Sequence, residues 1–488
     1  MIRSRPLIAA LAIAGLLSGC SMAPAYHRPT LAPLPESFKE APGWSSAAPS
    51  DAVAKGAWWA LFGDPVLTAL VEKVEVTNQT VAQYRAAYAA ARAVTREQRA
   101  ALFPAVTAQI NAADAGSKTT GGSGLNGSGS TGQRYTAQIA ATWEPDLWGR
   151  LGNGVNQARA SEQAGAGDLA NATLAARGEL ASDYLQLRGI DAERLLLDQT
   201  VIAYDRALTI TQNKYKAGTV AHSDVDQAQT ALSNAQADRR DLDRQRAAFE
   251  HAIAVLAGEN PSSFAIAPVA WSPVVPDVPG TIPSTVLQRR PDIAAAERRV
   301  AAANSGIGIQ RAAFFPQVSL SAGAGLSATG IGDLFAAPVT LWSLGLNAVE
   351  TLLDFGANKA RLAQSHAEYD QAAAVYRQTA LTAFQQVEDE LAAVSAYADE
   401  AKMRDQAATS ADRAEQIARN QYLAGTIDYA SVVTAQTAAY AARQARVQVV
   451  VDRQTAAVAL IQAIGGNWDA ASTATAPASA INNAPIVS

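Results

Sequence analysis

Apolar and polar residues alternate with period two in four stretches of the chain. Along Ala105 to Ala112, Val106, Ala108, Ile110 and Ala112 share one face while Thr107, Gln109 and Asn111 share the other. Along Tyr135 to Trp143 the apolar face is Tyr135, Ala137, Ile139, Ala141 and Trp143, opposite Thr136, Gln138 and Thr142. The pattern returns with Val318, Leu320, Ala322 and Ala324, and again with Trp342, Leu344, Leu346 and Ala348. Successive side chains of a strand point to opposite faces, so this alternation predicts strands and not helices. Segments of about 9 to 11 residues, apolar outward and polar inward, suit a transmembrane β-barrel with aromatic residues near its interfaces. A soluble sandwich shows similar alternation, but here only four strands stand among helical patterns. A barrel needs at least about eight strands and lipid tolerates no open sheet edge. The predicted barrel is therefore shared between copies of the chain; two copies give eight strands, three give twelve, and periodicity leaves that choice open.

Helical patterns surround the strands. Leu67 to Leu102 and Ser284 to Phe314 each read as helix and each stops at a Phe-Pro pair, Phe103-Pro104 and Phe315-Pro316, because proline cannot continue the hydrogen-bond ladder. Long proline-free stretches follow, Asp146 to Asn260 and then Val339 to Ala476 with its opening strand, filled by coiled-coil-like patterns rich in Ala, Gln, Arg, Asp and Val. Tyr215-Lys-Ala-Gly218-Thr219 interrupts the first and Tyr422-Leu-Ala-Gly425-Thr426 the second, where glycine supplies a left-handed turn. Each stretch is thus a helical hairpin. Gly149 to Tyr215 would reach on the order of 100 Å as one helix, far more than a compact core needs.

These units are two copies of one design. Gly218 recurs as Gly425, Ala228-Gln229-Thr230 as Ala435-Gln436-Thr437, Gly149 as Gly356, Arg246 as Arg453 and Gly258 as Gly465, all 207 positions apart. Arg99 to Pro104 recurs as Arg311 to Pro316 at a spacing of 212, so the first copy is five residues longer between Phe-Pro and the following glycine. The expected organisation is a signal peptide over 1–19, an N-terminal segment over 20–66, repeat 1 over 67–260, a linker over 261–283, repeat 2 over 284–466 and a C-terminal tail over 467–488. Within the repeats the β-hairpins are expected at about 105–143 and 317–348, and the helical hairpins at about 149–258 and 356–465.

The first residues change the picture of where the chain resides. Arg3 and Arg5 precede an apolar run, Leu7 to Leu17, too short to span a membrane and suited to a secretion signal. It ends in Leu17-Ser18-Gly19-Cys20, which resembles a bacterial lipobox and makes Cys20 the acylated first residue of the mature chain. Ser21 follows in place of an aspartate, which in lipoproteins favours the outer membrane. Cys20 is the one cysteine of the 488 residues, so a disulfide within the chain and a Cys-rich metal site are both excluded. The net charge of −5 gives no basic footprint for nucleic acid.

Candidate chemistry for an enzyme is absent from the sequence. Gly122-Ser-Gly124-Leu-Asn-Gly127 spells a dinucleotide motif but lies between two strands, with no helix to offer its N-terminus to a pyrophosphate. His27, His222, His251 and His366 are scattered without ligand spacing, and no Gly-x-Ser-x-Gly elbow occurs. Carboxylate pairs such as Glu388 and Glu390 sit in helical patterns as solvated faces. No catalytic residue, metal or cofactor is expected.

The order of helix, β-hairpin and long helical hairpin, twice over, resembles the outer-membrane factor (TolC) family. The lipobox, Trp58-Trp59-Ala-Leu-Phe62-Gly-Asp64-Pro65 and Gln288-Arg289-Arg290-Pro291-Asp292-Ile293 are similar to its NodT/OprM-like lipoprotein branch, and the resemblance covers Cys20 to about Asn467. It implies a mixed α and transmembrane β fold: a homotrimer with a twelve-stranded barrel in outer-membrane lipid, continued by a periplasmic α-helical barrel. It also implies passage of drugs or other small molecules from a periplasmic adaptor and an inner-membrane pump of the RND type to the exterior. Gly116 to Gly132 and Thr329 to Ala337 would then be extracellular loops. The turns at Gly218, Thr219, Gly425 and Thr426 would form the periplasmic mouth and meet the adaptor. The resemblance further implies a gate in which Tyr422 bonds Asp224. The chain departs from the family pattern next to it, with Ile427, Ser431 and Thr434 where an arginine and an acidic ring stand, and Asp428 as the nearest substitute. For Asp224 the plainer reading is a carboxylate at a helix N-terminus. From another class, a helical spacer lipoprotein tethered by Cys20 would account for the helices but has no use for the strands.

Cys20→Ala is expected to abolish acylation and block cleavage of the signal. Labelled palmitate entering the variant as it enters the wild type would refute the anchor.

Overall fold

The structure, a computed structural model, describes residues 21–31, 38–39, 57–117, 130–276, 290–336 and 338–466. Residues 1–19, Cys20, the tail 467–488, part of the linker, residues 284–289 and most of the loop between Gly116 and Gly132 lie outside the described residues. A 3-10 helix, Trp58–Phe62, is followed by α1 (Pro65–Thr77), α2 (Gln79–Ala100), β1 (Ala105–Ser117), β2 (Ser130–Trp143), α3 (Arg150–Lys216) and α4 (His222–Leu256). Then come α5 (Pro291–Ala312), β3 (Gln317–Ala328), the short α6 (Asp333–Ala336), β4 (Val339–Val349), α7 (Ala357–Leu423) and α8 (Tyr429–Ala463). The duplication holds residue for residue in the hairpins. Helices α3 and α7 each span 67 residues and α4 and α8 each span 35, every end lying 207 positions from its counterpart. No described helix is long and apolar enough to cross a membrane.

Two compact units emerge, each built from several stretches of chain. The first comprises the described parts of Met1–Thr30, Ala87–Ala166 and Ala295–Tyr376. Its sheet runs β1-β2-β3-β4, antiparallel throughout, with Ala108 opposite Ile139, Ile139 opposite Ala324 and Ala324 opposite Trp342. Paired residues share a face, so Val106, Ile110, Ile139, Trp342, Leu344 and Leu346 all lie on one exposed apolar surface, as the alternation predicts. On the other face Gln138 Nε2 donates to Gln109 Oε1 at 3.3 Å. The helices beyond are capped by carboxylates: Asp146 accepts from the N–H groups of Leu151 and Gly152, and Asp354 from those of Gly356 and Asn358.

Residues 21–30 form an extended strap in this unit. Ser21 Oγ donates to Asn153 Oδ1 at 3.2 Å, Asn304 Nδ2 to Pro24 O at 2.9 Å, Tyr26 Oη to Glu297 Oε1 at 2.5 Å and Arg28 Nε to Tyr376 Oη at 2.8 Å. Gly308 permits the approach, because a Cβ there would overlap Ala23. The strap carries no periodicity and was not legible as structure in the sequence.

The second unit comprises the described parts of Leu31–Ala86, Gly167–Ala294 and Arg377–Ser488. Asp64 caps α1 by accepting from Val66 and Leu67, with Pro65 at the first helical position, and its other oxygen accepts from Tyr184 Oη at 2.6 Å. The single helix expected over Leu67 to Leu102 is in fact two, broken at Asn78. That residue turns extended, accepts from the Val81 N–H to start α2, and donates Nδ2 to Leu256 O at 2.8 Å. The break gives up helical bonds at the junction for contacts with the end of α4. The start of the linker is held by buried charge: Arg188 donates to Ala267 O and Arg246 to Ile266 O, while both guanidinium groups face Asp191. In the Arg-Arg-Pro-Asp segment, Arg290 donates to Ala463 O at the end of α8 and to Gln386 Oε1, both at 2.8 Å, and pairs with Asp292. Pro291 opens α5, which gives the motif its physical content.

Arginine in place of Ile139 or Leu344, if these face mid-membrane lipid, is expected to cost about 2 to 4 kcal/mol and to impair assembly, whereas arginine at Gln138 is tolerated. Equal yields of heat-modifiable oligomer from all three variants would contradict the facing of the strands.

Candidate functional site at the tips of the helical hairpins

Both helical hairpins, whose tips lie in the second unit, turn by the same bonds. At the first, Gly218 adopts φ 73°, its N–H donates to Tyr215 O at 2.8 Å, and the Thr219 N–H donates to Lys214 O at 3.0 Å. At the second, Gly425 adopts φ 76°, its N–H donates to Tyr422 O at 3.0 Å, and the Thr426 N–H donates to Gln421 O at 3.0 Å. These paired bonds are the Schellman ending, which satisfies the last helical carbonyls and requires a left-handed residue. Threonine completes it, since Thr219 Oγ1 and Thr426 Oγ1 donate to the same carbonyls as their own N–H groups. The Gly-Thr pair read from the sequence is therefore a helix terminator.

The helices that follow start differently. Ala221 at the head of α4 offers no side-chain cap, and Asp224 lies in the first turn, where its charge favours the helix dipole. Asp428 caps α8, accepting from Ser431 N at 3.0 Å and Ser431 Oγ at 2.6 Å, and these bonds hold its carboxyl below the usual range. His222 lies edge-on to Tyr215 and meets Asp226 at 3.0 Å.

Tyr422, 6% exposed, is a core residue. It packs with Leu208, Ala228, Tyr429 and Val432, its ring 5.4 Å from that of Tyr429. Its hydroxyl lies 3.4 Å from Thr211 Oγ1. Lys214 reaches across from the first turn: its Nζ donates to Tyr422 O at 3.0 Å and stands 3.9 Å from the centre of the Tyr422 ring. Because Lys214 O accepts both bonds from Thr219, this one residue joins the two turns.

The bond expected between Tyr422 and Asp224 is not formed among the described residues. Tyr422 is turned into the core and covered by Lys214, while Asp224 accepts from Ser223 Oγ at 3.5 Å. Tyr429 is 1% exposed, and its pKa is pushed up to about 12 by burial first, then by Tyr422, Tyr204 and Asp224. The hydroxyl of Tyr429 and Oε1 of Gln436 are buried without a hydrogen-bond partner among the described residues. Sequence reasoning missed Lys214, Thr211 and Tyr429. The signal available was asymmetry between the copies: Lys214 stands opposite Gln421, and Tyr429 opposite His222.

Beside these tips a groove of about 630 Å³ runs between α3, α4 and α8, lined among others by Tyr204, Asp226, Asn234, Asp238, Thr434 and Tyr440. Burial raises the pKa of Tyr204 and pushes that of Tyr440 up to about 12. The groove presents amides, hydroxyls and carboxylates over an apolar floor. No group of metal-ligating side chains occurs among the described residues.

The sequence profile of the outer membrane efflux protein family matches residues 70–259 and 282–466. The chain is 32% identical to outer membrane protein OprJ of Pseudomonas aeruginosa, over 95% of this chain and 96% of that one. It is 30% identical to the toluene efflux pump outer membrane protein TtgC of Pseudomonas putida, with the same coverage. Among solved structures, that of the outer-membrane channel OprN superposes with a TM-score of 0.83 at 27% identity, covering 92% of this chain and 100% of that one. With its sheet, its paired helical hairpins and these matches, the chain belongs to the outer membrane efflux protein family.

Proposed function

We propose that three copies of the chain form the outer-membrane channel of a tripartite efflux assembly that carries drugs or other small molecules. Twelve strands close the barrel, and the helical hairpins continue it into the periplasm to a mouth at Gly218 and Gly425. The observation that carries this reading is the four-stranded sheet with an exposed apolar face and two unpaired edges. Such a sheet is complete only in lipid and only when closed by further strands. A spacer lipoprotein would have no need of it.

A periplasmic adaptor docks on the tips through Gly218, Thr219, Gly425 and Thr426 and the groove beside them, and an inner-membrane pump of the RND type selects the cargo and supplies the energy. The chain itself performs no catalysis. Cys20 anchors it to the outer membrane; in support, Ser21 is bonded to Asn153, four residues after Gly149 and close in sequence to the end of β2. The mouth is gated by the tips, with Asp224, Tyr422 and Asp428 around the opening and Lys214 clamping one turn to the other.

A hydrogen bond from a cation to a carbonyl, with the same cation over an aromatic ring, is worth about 1 to 2 kcal/mol when partly buried. Lys214→Met is therefore expected to raise single-channel conductance in planar bilayers, with Lys214→Arg close to wild type. Tyr422→Phe, which removes only the hydroxyl facing Thr211, has a smaller effect, and because Asp224 does not bond Tyr422 the effect of Asp224→Ala adds to it. Wild-type conductance in Lys214→Met and Asp224→Ala alike would show that other residues set the width of the mouth.

A further inference from the structure

The repeat extends to the pairing of strands. In the first hairpin Val106 pairs with Ala141, and in the second Val318 pairs with Ala348. Moving β1 by 212 positions and β2 by 207 turns one register into the other along the whole ladder. Hence β3 is the counterpart of β1, and β4 the counterpart of β2, at the level of individual residues.

The junction between the repeats, β2 on β3, is the one place where the first unit shows what lies beyond a hairpin. There Tyr135 pairs with Ala328, Ile139 with Ala324 and Trp143 with Leu320. Just past β2, Trp148 stacks on Phe315 with ring centres 4.8 Å apart and donates Nε1–H to Pro316 O at 2.8 Å. The aromatic residue after one hairpin thus covers the Phe-Pro step that begins the next.

The same parts are present at the far edges, uncovered. Phe355 is the counterpart of Trp148 and is 93% exposed; Phe103 is the counterpart of Phe315 and is 69% exposed. Phe355 is also the one non-glycine residue with positive φ among those described, 51°, a strained setting for a bulky side chain. Leu352 and Leu353 beside it are likewise exposed. An aromatic ring held in a costly backbone conformation with nothing against it marks a contact that a single chain cannot complete.

We propose that β4 pairs with β1 of a second copy in the register of the β2–β3 junction, and that Phe355 stacks on Phe103 of that copy. The translated pairs are Leu346 opposite Ala112, Trp342 opposite Gly116 and Ala348 opposite Ile110. The apolar face then continues unbroken from one copy to the next, since each member of these pairs lies on the outward set. The seam rests on the proposed assembly of copies and specifies how they meet. Phe355 lacks the indole N–H with which Trp148 reaches a carbonyl, so this seam is held by ring contact and strand pairing alone.

Engineered cysteines test the register, because the chain has no other cysteine than Cys20. The double variant Ala112→Cys with Leu346→Cys, oxidised in detergent or in membranes, is expected to give covalent dimers and trimers on a non-reducing gel. Leu346→Cys combined with Ile110→Cys or with Asp114→Cys, each displaced by two residues along the strand, is expected to give several-fold less. Stronger cross-linking in a displaced pair overturns the register while leaving the assembly intact. Absence of covalent multimers from all three pairs, in protein that still runs as an oligomer by native mass, overturns the β4–β1 seam. The same result in protein that runs as a monomer overturns the assembly itself. Phe103→Ala and Phe355→Ala are each expected to lower the temperature at which the oligomer dissociates, the double variant no further than either alone. Full additivity of the two, with cross-linking retained, removes the ring contact from the proposal.

Discussion

A backbone N–H or C=O left unpaired in hydrocarbon costs several kcal/mol, since no water is there to take the bond. A sheet that enters a membrane must therefore close on itself. Among the described residues the chain makes four strands, pairs them in three inner ladders, and leaves the outer sides of β1 and β4 open. Much of the remaining architecture follows from that constraint. Copies must assemble, the apolar side chains of all four strands must face the same way, and loops must be confined to the ends of the strands. The duplication makes the solution economical, because one strand-pairing geometry serves both within the chain and between copies.

The helical part obeys a different constraint. Two hairpins of equal length, 67 residues out and 35 back, end in identical Schellman turns. Each turn consumes its own helical carbonyls, so what joins one hairpin to the other must come from side chains. Lys214 does so by spanning from its own turn to the carbonyl and ring of Tyr422, and the core of Tyr422, Tyr429, Leu208 and Val432 fills the space behind it. Away from the tips the hairpins also meet, as where Gln444 Nε2 donates to Glu193 and Gln462 Nε2 to Leu174 O, so Lys214 is the contact that ties one turn directly to the other.

The strands were legible in the sequence because lipid and water impose opposite demands on alternate residues, as at Ile139 and Gln138. The hairpin ends were legible because only glycine enters the left-handed turn without strain, as at Gly218 and Gly425. The break at Asn78 was not, because it is decided by contacts with Leu256 and Ala257, nearly two hundred residues away, and nothing local forbids a continuous helix. Nor was the strap at residues 21–30, whose bonds go to Asn153, Glu297, Asn304 and Tyr376. At the tips, family resemblance pairs Tyr422 with Asp224, whereas in the structure Tyr422 lies against Thr211 and Lys214. The burial that turns Tyr422 inward toward Lys214 and Thr211 comes from packing between helices, which spacing within one helix does not reveal.

The number of copies is the most direct test. Strand alternation alone admits two copies or three, and the account requires three. Native mass measurement of the protein extracted from membranes in mild detergent should give a mass of three chains with their lipids. A particle of two chains, an eight-stranded barrel, or of one chain would contradict the account, whatever its conductance.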